Sequence, residues 1–367
     1  MSKAAELAKM GEVLTNSQIG GRRNIAINGA MQVAQRGNQN TSNGTNTFGV
    51  DRFNVYLRGG AAATVSKDTD VPAGQGFSSS CKIDITTGDA LGVANDLALF
   101  RQTFEGQDLQ QLKKGTSNAE KVTVSFWIKS TITGTYILEL NDNDNTRGIS
   151  KSYTVSSSNT WEHKTITFEG DTTGAFGNDN NLSLYLMWAL GAGSDFQGVT
   201  LATSWASISD GDARYEGQVN AVNSDSNNIY FTGIQMEVGS VATPFEHRSF
   251  GEELALCQRY YQKITTAAAS MGLSSASSYN TAQVNGVIQI VPPMRATPSI
   301  DIVTVTDGYR YVAAASNTNF DVLSLEAGSN NSQVLWVKGG LSGLTAGQAG
   351  WLQTTSTSSY MAFKSEL

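Results

Sequence analysis

Between residues 48 and 247 the chain repeats one pattern: a short run of alternating apolar and polar residues, then a Gly-, Asn- or Asp-rich turn. Alternation with a period of two puts every second side chain on one face of a strand. In Lys121–Lys129, Val122, Val124, Phe126 and Ile128 face one way, and Thr123, Ser125, Trp127 and Lys129 the other. Asn181–Leu190 repeats this, with Leu182, Leu184, Leu186 and Trp188 on its apolar side. Further strands are expected at Phe53–Leu57, Lys82–Thr86, Leu97–Phe104, Thr135–Asn141, Lys151–Val155, Glu162–Phe168 and Asn228–Val238. Nine or so short strands at this spacing predict a β-sandwich or jelly roll.

The flanks differ. Residues 2–14 read as a short helix with Leu7, Met10 and Leu14 on one face. Too short to be stable alone, it is either a loose terminus or a docking or oligomeric peptide. Asn24–Gly37 reads as extended and apolar with a turn at Asn28-Gly29, and 38–47 as a polar, low-complexity loop. Ser249–Ile264 predicts a helix that opens with an S-x-x-E capping box. Its residues Phe250, Leu254, Cys257, Tyr261 and Ile264 would form one apolar seam, packed on a sheet or meeting its copies at an axis. Strands then return at Ala282–Val291, Ser299–Thr306, Arg310–Ala315, Phe320–Leu325, Gln333–Lys338 and Thr357–Lys364. The expected class is therefore mainly β. Its order is an N-terminal helix (1–22), a jelly roll (23–247), a linker helix (248–265) and a smaller C-terminal β domain (266–367).

Composition narrows the function. The net charge is −7 with no basic run, which argues against nucleic-acid binding. No stretch of 18 apolar residues suggests a membrane span, and the N-terminus lacks the apolar core of a signal peptide. The two cysteines, Cys81 and Cys257, fit free thiols in a reducing cytoplasm. His163 and His247, the only histidines, have no nucleophile context. Asn141–Asn145 (NDNDN) starts like a calcium loop but has Thr146 and Ser152 where Gly and Glu belong, so a hairpin turn is the better reading. No catalytic residue, metal site or cofactor is expected. The remaining candidate is sugar binding, in which rings stack on sugar faces and amides or carboxylates bond hydroxyls. Trp127, Lys129, Glu139, Asn141 and Tyr185 are the residues placed for it.

Three stretches carry a resemblance. KVTVSFWIKS (Lys121–Ser130), TGTYILEL (Thr133–Leu140) and NTWEHKTITFEGDTTG (Asn159–Gly174) resemble jelly rolls of the carbohydrate-binding-module kind. RRNIAINGAMQVAQRG (Arg22–Gly37) with VDRF (Val50–Phe53) resembles the start of phage tail-fibre and virion structural proteins. GIQMEVGSVATPFEHRSFGEELALCQRYYQK (Gly233–Lys263) resembles the end of their jelly roll, and VPPMRATPSI (Val291–Ile300) the opening of their small C-terminal domain. The resemblance implies a non-enzymatic virion appendage, assembled in the host cytoplasm and homotrimeric. Its N-terminal segment would join phage tail or capsid proteins, and its module would touch host-surface glycans. A polysaccharide depolymerase on the same scaffold and a purely architectural decoration protein are the alternatives.

Overall fold

The computed structural model describes residues 23–198, 200–208, 214–264, 269–302, 305–314, 316–326, 328 and 330–367, together with Lys3. The expected N-terminal helix, with Leu7, Met10 and Leu14, lies outside the described residues. The chain is mainly β and divides into two compact units, one reaching Glu253 and the other spanning Leu254–Glu366.

Among the described residues the first unit holds thirteen strands: β1 (Gln39–Thr41), β2 (Asn46–Val50), β3 (Phe53–Arg58), β4 (Ala62–Asp68), β5 (Ser80–Thr87), β6 (Leu97–Glu105), β7 (Val122–Ser130), β8 (Gly134–Asp142), β9 (Arg147–Val155), β10 (Glu162–Phe168), β11 (Leu182–Ala192), β12 (Ala206–Ser207) and β13 (Asn228–Val238). They form two antiparallel sheets, a six-stranded one in the order β1-β4-β5-β13-β7-β10 and a seven-stranded one in the order β12-β9-β8-β11-β6-β3-β2. The inner faces meet in one core of apolar side chains. Phe100 of β6 stacks on Phe231 of β13 across the sheets, with ring centroids 4.6 Å apart. Trp188 of β11 lies 5.4 Å from Phe126 and 5.7 Å from Phe231, both on the opposite sheet.

All nine strands expected in this unit are present, Glu162–Phe168 and Asn228–Val238 with the expected bounds. The 38–47 stretch is not a plain loop, because β1 and the start of β2 lie in it. Both are edge strands with a single hydrogen-bonded neighbour, so they need no apolar alternation. The NDNDN run is a hairpin turn: Asp142 pairs with Arg147 and the residues between them close the loop.

Two sequence stretches far apart in the chain are joined by hydrogen bonds. Asn24 accepts from the Met236 amide and donates to the Ile234 carbonyl, each at 3.0 Å. The Ile25 amide donates to the Met236 carbonyl at 2.8 Å, and the Ile234 amide to that of Gly29 at 3.0 Å. Asn28 adopts a left-handed φ of 62°, and its amide group caps Val33 and reaches the Asp51 carbonyl. Glu253 accepts from the Asn28 amide and pairs with Arg248 at 3.2 Å. A buried ion cluster closes the far loops. The Lys114 ammonium meets Asp142 at 2.5 Å, Asp171 at 3.1 Å and the carbonyls of Thr173 and Gly174 at 2.9 and 2.7 Å. Arg147 holds Asp171 at 2.7 Å.

The expected long helix is shorter. Ser249 and Glu252 form the reciprocal capping contacts, but α1 covers only Phe250–Gln258. The chain then turns, and β14 (Tyr261–Ile264) is a strand. The five-residue seam is therefore not one helical stripe. Tyr261 and Ile264 belong to β14, Cys257 is buried, and Phe250 is 57% exposed. The aromatic and β-branched character of that end favours a strand once a partner is present, and that partner, the strand Met361–Lys364, is supplied from about a hundred residues downstream.

The second unit continues with β15 (Gly272–Asn280), β16 (Gln283–Gln289), β17 (Ser299–Asp301), β18 (Tyr309–Ala313), β19 (Ser316–Phe320), β20 (Leu323–Leu325), β21 (Val334–Gly340), β22 (Ala349–Thr354) and β23 (Met361–Lys364). Seven of these form a sheet in the order β19-β18-β22-β15-β16-β21-β20, and β14-β23-β17 form a small one. The stretch expected as one strand at Phe320–Leu325 is split: β19 ends at Phe320 and β20 begins at Leu323. β15 and β22 have no expected counterpart, because their Ser-, Gly- and Gln-rich sequences show little apolar alternation.

Two outcomes are expected. A Cβ at Gly29 would sit 2.0 Å from the Ile234 carbonyl oxygen. Gly29→Ala should therefore cost about 1–3 kcal/mol in urea unfolding, the usual range for forced overpacking. Burial works against ionisation of Asp171, but the bonds from Arg147, the Thr173 amide and Lys114 outweigh it and hold its pKa below the ordinary carboxylate value. A depressed folded pKa gives stability that is present above the unfolded pKa of about 3.9 and is lost as pH falls through the lower folded value. Asp171→Asn should lower stability at neutral pH and flatten the acid limb of a stability–pH curve.

Candidate functional site

The five residues expected to bind sugar fall on two different sheets. Trp127 and Lys129 lie on β7 in the six-stranded sheet; Glu139, Asn141 and Tyr185 lie on β8 and β11 in the seven-stranded one. β7 and β8 are consecutive in sequence but belong to opposite sheets, so their outer faces point away from one another.

On the six-stranded sheet the outward residues are already engaged. Lys129 pairs with Asp70 at 2.5 Å and lies over the Tyr230 ring. The Trp161 indole donates to the same Asp70 at 2.9 Å. Burial disfavours the Asp70 charge, yet the bonds from Lys129 and Trp161 outweigh it and bring the pKa below its ordinary value. The Trp127 ring stands 5.1 Å from that of His163 and packs beside Phe77 over Gly233, where β13 bulges with a φ of 62°.

The seven-stranded sheet offers a groove on its outer face. Pairing register aligns Asn54 with Arg101 and Tyr56 with Leu99 on β3 and β6. It aligns Met187 with Arg101 and with Glu139, and Tyr185 with Asn141. Part of this face is roofed by Phe196 and Tyr215, which close a second small core over Leu97, Leu99, Ile137, Met187 and Ala189. At the edge of this small core lies a cavity of about 490 Å³, lined in part by Phe196 and Met187 and also by Tyr56, Arg101, Tyr185, Asn141 and Asn143. The Arg101 guanidinium lies between two rings, 5.0 Å from Tyr56 and 5.3 Å from Tyr185. Asn54 and Asn46 accept from it at 3.0 and 2.6 Å. Burial, with the Arg214 guanidinium near, keeps the Arg101 pKa below its ordinary value.

Glu139 is not available as a sugar acceptor. It is fully buried and takes a two-pronged bond from Arg214, both contacts at 2.8 Å. It positions the roof instead, because Arg214 immediately precedes Tyr215. Asn141 and Tyr185 do border the groove. Sequence reasoning missed Tyr56, Arg101 and Arg214. Arg101 left a signal: a cation in the middle of LALFRQTF, an otherwise apolar strand, needs an outward face with partners. Among the described residues no group of three or more His, Cys, Asp and Glu side chains gathers to hold a metal ion.

The fold and groove together define a mainly β chain whose first unit presents a ring-lined, amide-rich cleft on a sheet. No protein-family model matches the sequence, and no curated protein matches it. Solved structures similar to part of it include the enzymatically active domain of tailspike protein 4 from bacteriophage CBA120, with 16% identity, 59% of this chain and 21% of that chain covered, and a TM-score of 0.32. This chain therefore spans about a fifth of that tailspike chain. A CBM4 structure is 14% identical over 57% of this chain and 97% of its own, with a TM-score of 0.30. A family 11 carbohydrate-binding module from Clostridium thermocellum, in complex with a mixed-linked tetrasaccharide, is 10% identical over 56% and 98%, with a TM-score of 0.28. At these TM-scores the likenesses carry no functional argument.

Removing Arg214 strands a buried carboxylate. Arg214→Ala should cost about 3–5 kcal/mol, as for other broken buried pairs; the measurement is chemical denaturation beside Glu139→Gln, which removes the charge and should cost less.

Proposed function

We propose that the chain is a structural component of a bacteriophage particle, a tail fibre or similar appendage, and that its first unit holds host-surface glycan in the groove on the outer face of the seven-stranded sheet. The observation that carries the binding half is the pairing of Tyr56 and Tyr185 about Arg101 on the wall of an open cavity of about 490 Å³. Partly exposed rings offer apolar surface to the C–H faces of a sugar. The Arg101 guanidinium and the amides of Asn141 and Asn143 offer donors and acceptors to its hydroxyls. The particle half rests on the sequence resemblance, whose N-terminal stretch and Gly233–Glu237 are bonded to each other at Asn24, Ile25 and Gly29.

In this reading the two-sheet unit is a jelly roll, residues 1–22 join tail or capsid proteins, the copies associate as a homotrimer, and the protein resides in the virion. We take binding without catalysis over depolymerisation; glycoside hydrolysis would use two carboxyl groups flanking the bond and would release new reducing ends.

Titration calorimetry with purified surface polysaccharide of the host tests the reading. Tyr185→Ala or Tyr56→Ala should weaken binding about tenfold, near 1.4 kcal/mol, with the melting temperature little changed. Unaltered affinity in the double variant would count against the groove, and new reducing ends on incubation would count against a non-enzymatic role.

A further inference from the structure

The second unit carries a ring-bearing sheet face of its own. Its seven-stranded sheet buries one face, including Val284, Ile288, Leu335, Val337, Tyr311 and Leu352, in a core. Alternate residues of the same strands form the open face. There Trp336 on β21 pairs with Val287 on β16, and Trp351 on β22 pairs with Ser275 on β15 and Val312 on β18. The β15–β16 register sets Ser275 alongside Val287, so the two tryptophans stand in one row across the sheet. They are 41% and 47% exposed. Three strand spacings separate them, about 14 Å at roughly 4.8 Å each.

We infer that this face is a second glycan-binding platform, on which a neutral, linear polysaccharide lies across the strands with sugar rings stacked on Trp336 and Trp351. The surroundings favour that occupant over a second copy of the chain. The centre of a subunit interface is depleted in serine. Here exposed Ser275 stands inside the row, between Val287 and Trp351, and exposed Ser277, Asn317 and Asn319 and half-buried Asn285 lie beside it, which suits hydroxyl groups. The cations on the face are already engaged: Lys338 pairs with Glu326 at 3.3 Å, and Arg310 donates to Asn319 at 2.8 Å. Lys338 is charge-matched and Arg310 is held by an uncharged amide, while β15 and β16, the two strands between the tryptophans, carry no charged residue; a row without charge at its middle suits an uncharged polymer rather than an acidic one. The Trp351 indole donates to Gln353 at 3.1 Å, which fixes how that ring is presented.

The test uses the full chain in four forms: unaltered, Tyr56→Ala/Tyr185→Ala, Trp336→Ala/Trp351→Ala, and all four substitutions together. Each is titrated with soluble mixed-linkage β-1,3-1,4-glucan, α-mannan and a purified bacterial O-polysaccharide, followed by tryptophan emission and calorimetry. At least one polysaccharide should bind the tyrosine variant and weaken tenfold or more when both tryptophans are removed. Trp336→Phe/Trp351→Phe, which keeps the stacking surface, should restore most of the affinity and rules out misfolding as the cause. Binding that survives loss of both tryptophans in the tyrosine background overturns the platform, and so does the absence of any binding by the tyrosine variant. A fall in solution mass on Trp336→Ala/Trp351→Ala overturns it in favour of an interface between copies. If affinity follows the tryptophans and ignores the tyrosines, the groove reading fails while the platform stands.

Discussion

The first unit depends on ring packing between its two sheets. Phe100, Phe231, Phe126 and Trp188 meet across the interior, and Phe53 stacks on Phe100 at 5.2 Å. Aromatic side chains bury large areas and prefer defined offsets and tilts. This contact therefore sets which faces of β6, β11, β7 and β13 turn inward. The consequence for the site is geometric. With Phe100 and Trp188 inward, Arg101 and Met187 must point outward, and Tyr185 and Asn141 follow at the next outward positions. The groove is the reverse side of the core.

The second constraint is charge placed where water is scarce. Glu139 sits under the roof of the groove and Lys114 under the loops at the sheet ends, both buried. Each is matched: Glu139 by the Arg214 fork, Lys114 by two carboxylates and two carbonyls. Buried pairs of this kind add little net stability, but breaking one is costly. They fix the position of loops that a two-sheet core alone would leave loose, including the residue that leads into the Tyr215 roof.

Much of the strand pattern was legible because the period of two is written locally. Lys121–Lys129 and Leu182–Leu190 show it without help from tertiary structure. What sequence left hidden was partnership. β1 and β2 are polar edge strands, recognisable only by the neighbours they bond to. Ser249–Ile264 carries a helical spacing over its whole length, yet Tyr261–Ile264 is captured by β23 from near the C-terminus, a pairing that no local window contains. The candidate site divided for the same reason. β7 and β8 adjoin in sequence, and nothing in their residues says that the chain crosses between sheets there. The outward positions of Asn141 and Tyr185, which border the groove, are legible from the alternation alone. Tyr56 and Arg101 were missed because their meeting with Tyr185 depends on β3, β6 and β11 lying side by side.

The central claim is that sugar is held at Tyr56, Arg101 and Tyr185 on the outer face of the seven-stranded sheet. Its most direct test is a crystal structure of the protein with an oligosaccharide released from the host surface polysaccharide. The account predicts a pyranose ring against Tyr56 or Tyr185, with hydroxyls bonded to Arg101 and Asn141. An ordered sugar elsewhere on the first unit, with this groove empty, would contradict it.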